Sequence, residues 1–216
     1  ENIVATVANP TMETSKLMVN HPSVRMLVAT GGPGVVKMLL SSGKKAIGAG
    51  AGNPPVVVDD TADIKKAAKD IIDGCTFDNN LPCIAEKECF VMDNVADELI
   101  ENMQKHGAYL INATQVKALE DVVLVDVPPK SPSDKPKRVI NKDWVGRDAK
   151  KILAQIGINA SDDIRCIICE TEFSQAFVQT ELMMPILAIV RCGSFEEAME
   201  MAVKAEHGNR HSAHLH

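Results

Sequence analysis

One cysteine in this sequence is placed for covalent chemistry. Cys83 follows Thr76-Phe77-Asp78-Asn79-Asn80-Leu81-Pro82, a run of turn-forming residues. It precedes Ile84-Ala85-Glu86-Lys87, which leads into the apolar Cys89-Phe90-Val91-Met92. A thiol at such a loop-to-element junction can meet a substrate and still be held firmly. Its thiolate is the strongest protein nucleophile near neutral pH, although a free thiol with a pKa of about 8.5 is only a few per cent ionised there. Taken alone, a cysteine is more commonly a small buried hydrophobe.

Other groups could bind ligands. Thr30-Gly31-Gly32-Pro33-Gly34 lies between an apolar run and a helical pattern, so an anionic or polar ligand could sit at the helix N-terminus. It is neither G-x-G-x-x-G nor a Walker loop, and a bare tight turn would read the same way. Gly48-Ala49-Gly50-Ala51-Gly52, before Asn53-Pro54-Pro55, implies that backbone comes very close to something. Cys166-Ile167-Ile168-Cys169 is a lone C-x-x-C in an alternating strand, where residues three apart face opposite ways, so reduced thiols are the simpler reading. His207, His211, His214 and His216 crowd the end of the chain, either as metal ligands or as polar positions of a strand.

The elements that must position these groups alternate between strand and helix. Strands are expected at Ile3–Val7, Val24–Ala29, Lys44–Ile47, Val56–Val58, Phe90–Met92, Val122–Val125, Ile164–Cys169 and Ile186–Val190. Helices are expected from Asn9-Pro10-Thr11 to Asn20, over Val35–Leu40, from a Thr61 cap to Gly74, and from an Asn94 cap to Gly107. Others should follow Asn112, carry Ala149, Ile152, Leu153 and Ile156 on one face, and run from a Ser194/Glu197 capping box to Glu206. Pro128–Pro136 reads as a solvated loop. The alternation predicts an α/β fold with no internal repeat and no flexible interdomain linker.

The chain has 216 residues, 45% apolar and 24% charged, with a formal net charge of −6. That is ordinary globular composition. The acidic balance and the absence of a basic block beyond Lys135–Arg138 argue against nucleic acid. The longest apolar run, Leu182–Val190, is too short for a bilayer and contains Pro185. No secretory signal is expected at Glu1-Asn2-Ile3-Val4. The missing initiator methionine suggests a chain that begins inside a longer protein.

Taken in order, the motifs resemble those of the aldehyde dehydrogenase superfamily. Thr30-Gly31-Gly32 is similar to its Thr-Gly-Ser turn beside the nicotinamide, and Gly48 to Pro55 to the segment carrying Glu-Leu-Gly-Gly. Phe77 to Val91 resembles the catalytic-cysteine segment, and Glu181-Leu182-Met183-Met184-Pro185 the Glu-x-x-Gly-Pro segment. The wording FDNNLPCIAEKE, DWVGRD and TELMMP resembles the CoA-acylating branch, in particular the propionaldehyde and acetaldehyde dehydrogenases of propanediol and ethanolamine utilisation.

The resemblance implies a three-layer α/β/α fold. Residues 1–51 would end a Rossmann-like NAD-binding domain, and residues 52–216 would form most of the catalytic domain, incomplete at its C-terminus. It implies Cys83 as nucleophile. Thr30, Gly31, Gly32, Pro33, Gly34, Gly50 and Glu181 would contact the cofactor, and no metal is implied. The partners would be NAD, coenzyme A and a short-chain aldehyde. A homo-oligomer in the cytoplasm, or inside a bacterial microcompartment with its shell as a further partner, would follow, with no nucleic acid and no membrane.

One departure bears on the chemistry. Hydrolytic members begin Glu-Leu-Gly-Gly with the glutamate that activates water. Matching that motif to Ala49-Gly50-Ala51-Gly52 puts Ala49 there, and no carboxylate occurs between Arg25 and Asp59. A general base contributes roughly 10²–10⁴-fold. Without it, a thiol can outcompete water for the acyl group, and the small residues at 48–52 leave room for the arm of CoA. The alternatives are the aldehyde half of a bifunctional aldehyde-alcohol dehydrogenase and a catalytically silent structural fragment of such an enzyme.

Overall fold

The structure is a computed structural model and describes residues 3–129 and 137–216. It divides into two compact units, Glu1–Ala51 and Gly52–His216. The part of the expected Pro128–Pro136 loop from residue 130 onward lies outside the described residues.

In the smaller unit, α1 (Met12–Asn20) begins at a reciprocal capping box: the Thr11 hydroxyl accepts from the Thr14 N–H, and the Thr14 hydroxyl accepts from the Thr11 N–H. Strand β1 (Met26–Thr30) pairs in parallel with β2 (Lys45–Ala49), and α2 (Pro33–Leu40) connects them. Val19, Leu27 and Leu39 form its small core. The strand expected at Ile3–Val7 does not form. Ile3 and Val4 are almost fully exposed, and the segment has no strand partner among the described residues. Apolar composition alone does not make a strand without an edge to pair with.

The larger unit runs β3 (Pro55–Val58), α3 (Ile64–Cys75), β4 (Glu88–Met92), α4 (Asp93–Lys105), β5 (Ala108–Ile111) and α5 (Ala113–Val123). A hairpin of β6 (Leu124–Val127) and β7 (Lys137–Ile140) follows, then α6 (Ala149–Ala154), β8 (Cys166–Glu170), α7 (Ala176–Gln179), β9 (Ile186–Cys192), α8 (Phe195–Ala205) and β10 (His214–Leu215). Six strands form one sheet in the order β10-β3-β4-β9-β8-β5, and every pair is parallel. A parallel sheet needs both faces covered. Val56, Val58, Cys89, Val91, Leu187 and Ile189 point to the core shared with α3 and α4. Val57, Phe90, Ala188 and Val190 point to the core shared with α5, α6 and α8. The result is the expected three-layer α/β/α arrangement. Cys166 and Cys169 fall into opposite cores, as strand alternation requires.

Several helix ends differ from expectation. Asp63, not Thr61, caps α3 by accepting from the Lys66 N–H. The Thr61 hydroxyl and N–H are already engaged by Asp59. Asn94 lies inside α4, which begins one residue after Met92 without a side-chain cap. Ser194 does accept from the Glu197 N–H, but Glu197 reaches back to the Gly193 N–H rather than closing the box on Ser194. Gly74 does not end α3. The helix continues to Cys75, and Gly74 is small because a side chain there would collide with the Glu86 carboxylate. Gly107 does follow α4 in the left-handed region, at φ +92°.

Candidate active site

The segment between α3 and β4 carries Cys83. Directly after α3 the chain makes a tight turn at Phe77–Asn80, with Asp78, Asn79 and Asn80 at φ 47°, 52° and 66°. Three successive non-glycine residues in the left-handed region are tolerable because Asn and Asp pay the smallest steric penalty there. The same residues hold the turn. Asn79 Nδ2 donates to the Gly146 carbonyl at 3.1 Å and to Asp148 Oδ1 at 3.0 Å. The buried Asn80 Nδ2 donates to the Cys75 carbonyl at 2.8 Å and the Glu86 carbonyl at 2.9 Å. Asn80 thereby ties the start of the loop to its end.

Lys87 completes the knot. Its buried Nζ donates to Asn80 Oδ1 at 2.6 Å, the Asn80 carbonyl at 3.0 Å and the Pro82 carbonyl at 3.2 Å. Burial pushes the Lys87 ammonium down from its ordinary value, opposed chiefly by the field of Glu181. Cys83 follows Pro82 and is half-buried, whereas Cys75, Cys89, Cys166, Cys169 and Cys192 are all buried. Among the described residues the Cys83 N–H has no hydrogen-bond acceptor.

The turn at 144–146 connects this loop to the Glu181 segment. Gly146, at φ +68°, packs so tightly on Leu81 that a Cβ would lie 3.0 Å from the leucine side chain. Its N–H donates to the Met183 carbonyl at 3.0 Å. Met183 is itself left-handed at φ 55°, which bends the chain between Glu181 and Pro185. FDNNLPC, DWVGRD and TELMMP, far apart in sequence, therefore meet.

Gly52 brings the remaining groups in. Its N–H donates to Glu181 Oε2 at 3.2 Å. A Cβ on Gly52 would lie 3.0 Å from the Cys83 carbonyl oxygen and 3.4 Å from His211 Cγ, so a side chain there would press the loop away by a few tenths of an ångström. Burial raises the Glu181 carboxyl above the ordinary range, opposed by the charge of Lys87 and the Gly52 N–H. His211 Nδ1 is within 2.9 Å of the Ser212 hydroxyl, which leaves Nε2 as its open nitrogen. From β10, His214 Nε2 meets the Ile84 carbonyl at 2.9 Å, while its Nδ1 faces Glu86 Oε1 at 3.6 Å. Burial raises the Glu86 carboxyl, and it raises the fully buried Glu88 well above the ordinary range.

Of the residues singled out in the sequence, Cys83 and Glu181 thus share one site within the larger unit, linked through Gly52. Thr30 to Gly34 form the turn from β1 into α2 in the smaller unit. There a Cβ on Gly32 or Gly34 would meet nothing within 4 Å, and the same holds for Gly50. Sequence reading names Gly52 only within a glycine-rich run of close backbone approach and His211 only within a cluster of possible metal ligands, and it misses Lys87 and the two asparagine clamps as site residues. One signal was present: Glu86-Lys87-Glu88 is a charged triplet at the entrance to a strand whose every other residue is apolar, and charges are buried only where something holds them.

Among the described residues no group of three His, Cys, Asp or Glu side chains is placed to hold a metal ion, and no helix is long and apolar enough to cross a membrane.

The site is thus a half-exposed thiol beside a free N–H, in a three-layer α/β/α unit. The aldehyde dehydrogenase family matches residues 1–123, more than half the chain, and the chain belongs to that family. It is 44% identical, over its whole length, to the acetylating acetaldehyde dehydrogenase EutE of Salmonella typhimurium, of which it covers 45%. Among solved structures it is similar to a propionaldehyde dehydrogenase from the fucose utilisation microcompartment of Clostridium phytofermentans. The TM-score is 0.88 at 52% identity, over 97% of this chain and 46% of that one. It is also similar to a Rhodopseudomonas palustris propionaldehyde dehydrogenase with bound CoA and an acylated cysteine. That match has a TM-score of 0.86 at 50% identity, over 96% of this chain and 45% of that one. The chain spans about half the length of the curated relatives it matches.

Proposed function

We propose that this chain carries the nucleophile and part of the cofactor site of a CoA-acylating aldehyde dehydrogenase, which converts a short-chain aldehyde to its acyl-CoA with NAD. The observation that carries this reading is Cys83 itself. It is the one half-exposed thiol among six, with an uncommitted N–H and with its carbonyl against Gly52, which in turn meets Glu181 and His211.

The residues fit a dinucleotide. Glu181 has one N–H partner and can accept a ribose hydroxyl with its other oxygen. The open faces over Gly32, Gly34 and Gly50 leave backbone bare for a ligand. We assign Thr30, Gly31, Gly32, Pro33, Gly34 and Gly50 to that ligand in the smaller unit, and Glu181 in the larger. When bound, NAD supplies the hydride acceptor.

The remaining steps belong to this chain's residues. The Cys83 sulfur attacks the aldehyde carbon, and the oxygen that becomes anionic accepts from the Cys83 N–H. Loss of hydride from that carbon leaves a thioester on Cys83. The CoA sulfur then attacks the thioester carbon. Its proton passes to His211 Nε2, the Cys83 sulfur leaves as thiolate, and acyl-CoA departs. Ala49, where hydrolytic relatives have glutamate, is consistent with transfer to a thiol rather than to water.

We extend the reading to acetaldehyde or propionaldehyde as substrate and to a cytoplasmic homo-oligomer, with residence in a microcompartment as for the Clostridium relative. The test is stoichiometry in the full-length polypeptide. Acyl-CoA should appear one for one with NADH, and free acid should stay a small fraction. Free acid as the main product would refute the CoA-acylating assignment.

A further inference from the structure

Lys87 carries a charge that the reaction scheme has not used. Its Nζ meets three acceptors, Asn80 Oδ1, the Asn80 carbonyl and the Pro82 carbonyl. The amide of Asn80 cannot be turned round, because its Nδ2 already donates to two carbonyls, of Cys75 and Glu86. All three groups facing Nζ are therefore acceptors. A neutral amine has two N–H bonds and a lone pair; only the ammonium has three. The geometry thus calls for a cation at a site where Lys87 is only 3% exposed. Among the described residues no carboxylate pairs with it directly. The ionisable groups whose field it feels are Glu181, Cys75, Cys83, Glu88 and Glu86, and burial biases the three carboxyls toward their neutral forms.

The Pro82 carbonyl is the other end of the peptide unit whose N–H belongs to Cys83. A cation donating to that oxygen draws electron density along the peptide and makes the N–H a stronger donor, as in any hydrogen-bonded chain in a medium of low dielectric. The Ala85 N–H, at 3.1 Å, donates to the same oxygen and adds to the effect.

We propose that Lys87 is a positioning residue that strengthens the Cys83 N–H as an anion donor through the Pro82–Cys83 peptide, so that negative oxygen is favoured beside the nucleophile. This rests on the assignment of Cys83 as nucleophile. The groups that also bear on an anion there are Glu181 and His211 across Gly52, Glu88 beside Lys87, Cys75 under Asn80, and Glu86 with His214 behind Ile84.

The test uses two alkylating probes of similar size, iodoacetate and iodoacetamide, with modification at Cys83 quantified by peptide mass spectrometry on the whole chain. The ratio of the two rates reports the preference for negative charge and cancels both the reactive fraction of the thiol and loop mobility. In Lys87→Met the iodoacetate-to-iodoacetamide ratio should fall by about five- to tenfold, the size expected for removing one buried charge nearby. In the full-length polypeptide kcat should fall while the KM for aldehyde stays within about twofold, the pattern of a lost transition-state interaction. An unchanged ratio in folded Lys87→Met would overturn the proposal. Should Lys87→Met not fold, the unmutated chain decides. Its Cys83 ratio must exceed that of N-acetylcysteine several-fold, and an equal or lower ratio overturns the proposal. Failure of the nucleophile assignment is distinguishable, because Cys83→Ala would then retain activity whatever the alkylation ratios.

Discussion

Cys83→Ala abolishes aldehyde oxidation in the full-length polypeptide, with an expected loss on the order of 10⁴-fold or more in steady-state NADH formation, as for removal of a covalent nucleophile. Cys75→Ala, Cys89→Ala and Cys169→Ala leave the reaction running. The contrast comes from burial. Cys75, Cys89, Cys166 and Cys169 are fully enclosed. Burial pushes the Cys169 thiol up to about 12 and Cys192 to about 11, so neither supplies thiolate at neutral pH. A carbonyl substrate cannot reach them in the folded state. Cys83 is half-exposed, on a loop fixed at both ends, with its own N–H free for the oxygen of the adduct. The buried cysteine variants should show their cost as lowered stability, about 1 kcal/mol or somewhat more for a small cavity. NADH formation compared across the four variants, each confirmed folded by circular dichroism, checks this.

Asn80→Ala has the largest expected effect on stability. Removing the side chain takes its donor from the buried carbonyls of Cys75 and Glu86 and one of three acceptors from the Lys87 ammonium. Each orphaned buried polar group costs about 1–3 kcal/mol, and more for a charge. Alanine at φ 66° adds roughly 1 kcal/mol of strain. Together about 4–6 kcal/mol is at stake, which for a unit of this size is a fall of roughly 10 °C or more in Tm. Asn80→Asp makes an informative partner. It keeps an acceptor for Lys87 but sets an oxygen against two carbonyls, so it should also destabilise, though less. Thermal unfolding of the three proteins measures both. A Tm for Asn80→Ala within about 2 °C of the unmutated chain would mean that the knot is not what holds the loop.

Much of the loop around Cys83 and of the sheet behind it is legible in the sequence. The Asp78-Asn79-Asn80 run marked the turn, because these residue types tolerate the left-handed region that the turn uses. The periodic apolar residues of α3 and α4, and the apolar runs of β3, β4 and β9, marked a sheet buried on both faces. What could not be read depends on distant partners. Gly74 looked like a helix terminator, whereas its smallness answers the Glu86 carboxylate, which arrives from beyond the loop. Gly52 reads as one small residue among several, and only the approach of the Cys83 carbonyl and His211 shows what its smallness accommodates. Thr61 looked like a cap because nothing local reveals that Asp59 has already engaged its hydroxyl. Ile3–Val7 had strand composition but lacks a neighbouring edge. Lys87 is not legible because, in the sequence, a lysine between two glutamates resembles a solvated surface, and His211 reads only as one of four clustered histidines, a metal ligand or a polar strand position, because nothing local reveals Gly52 beside it.

The central claim is that a thioester forms on Cys83 and waits for CoA. It is tested most directly by mixing the full-length polypeptide with aldehyde and NAD while withholding CoA. One NADH per active site should form in a burst, followed by near silence. Intact-mass and peptide mass spectrometry of the stalled protein should then show one acyl group on the peptide containing Cys83, and adding CoA should remove it as acyl-CoA. Steady rapid turnover to free acid without CoA, or an acyl group on any other residue, would contradict the account.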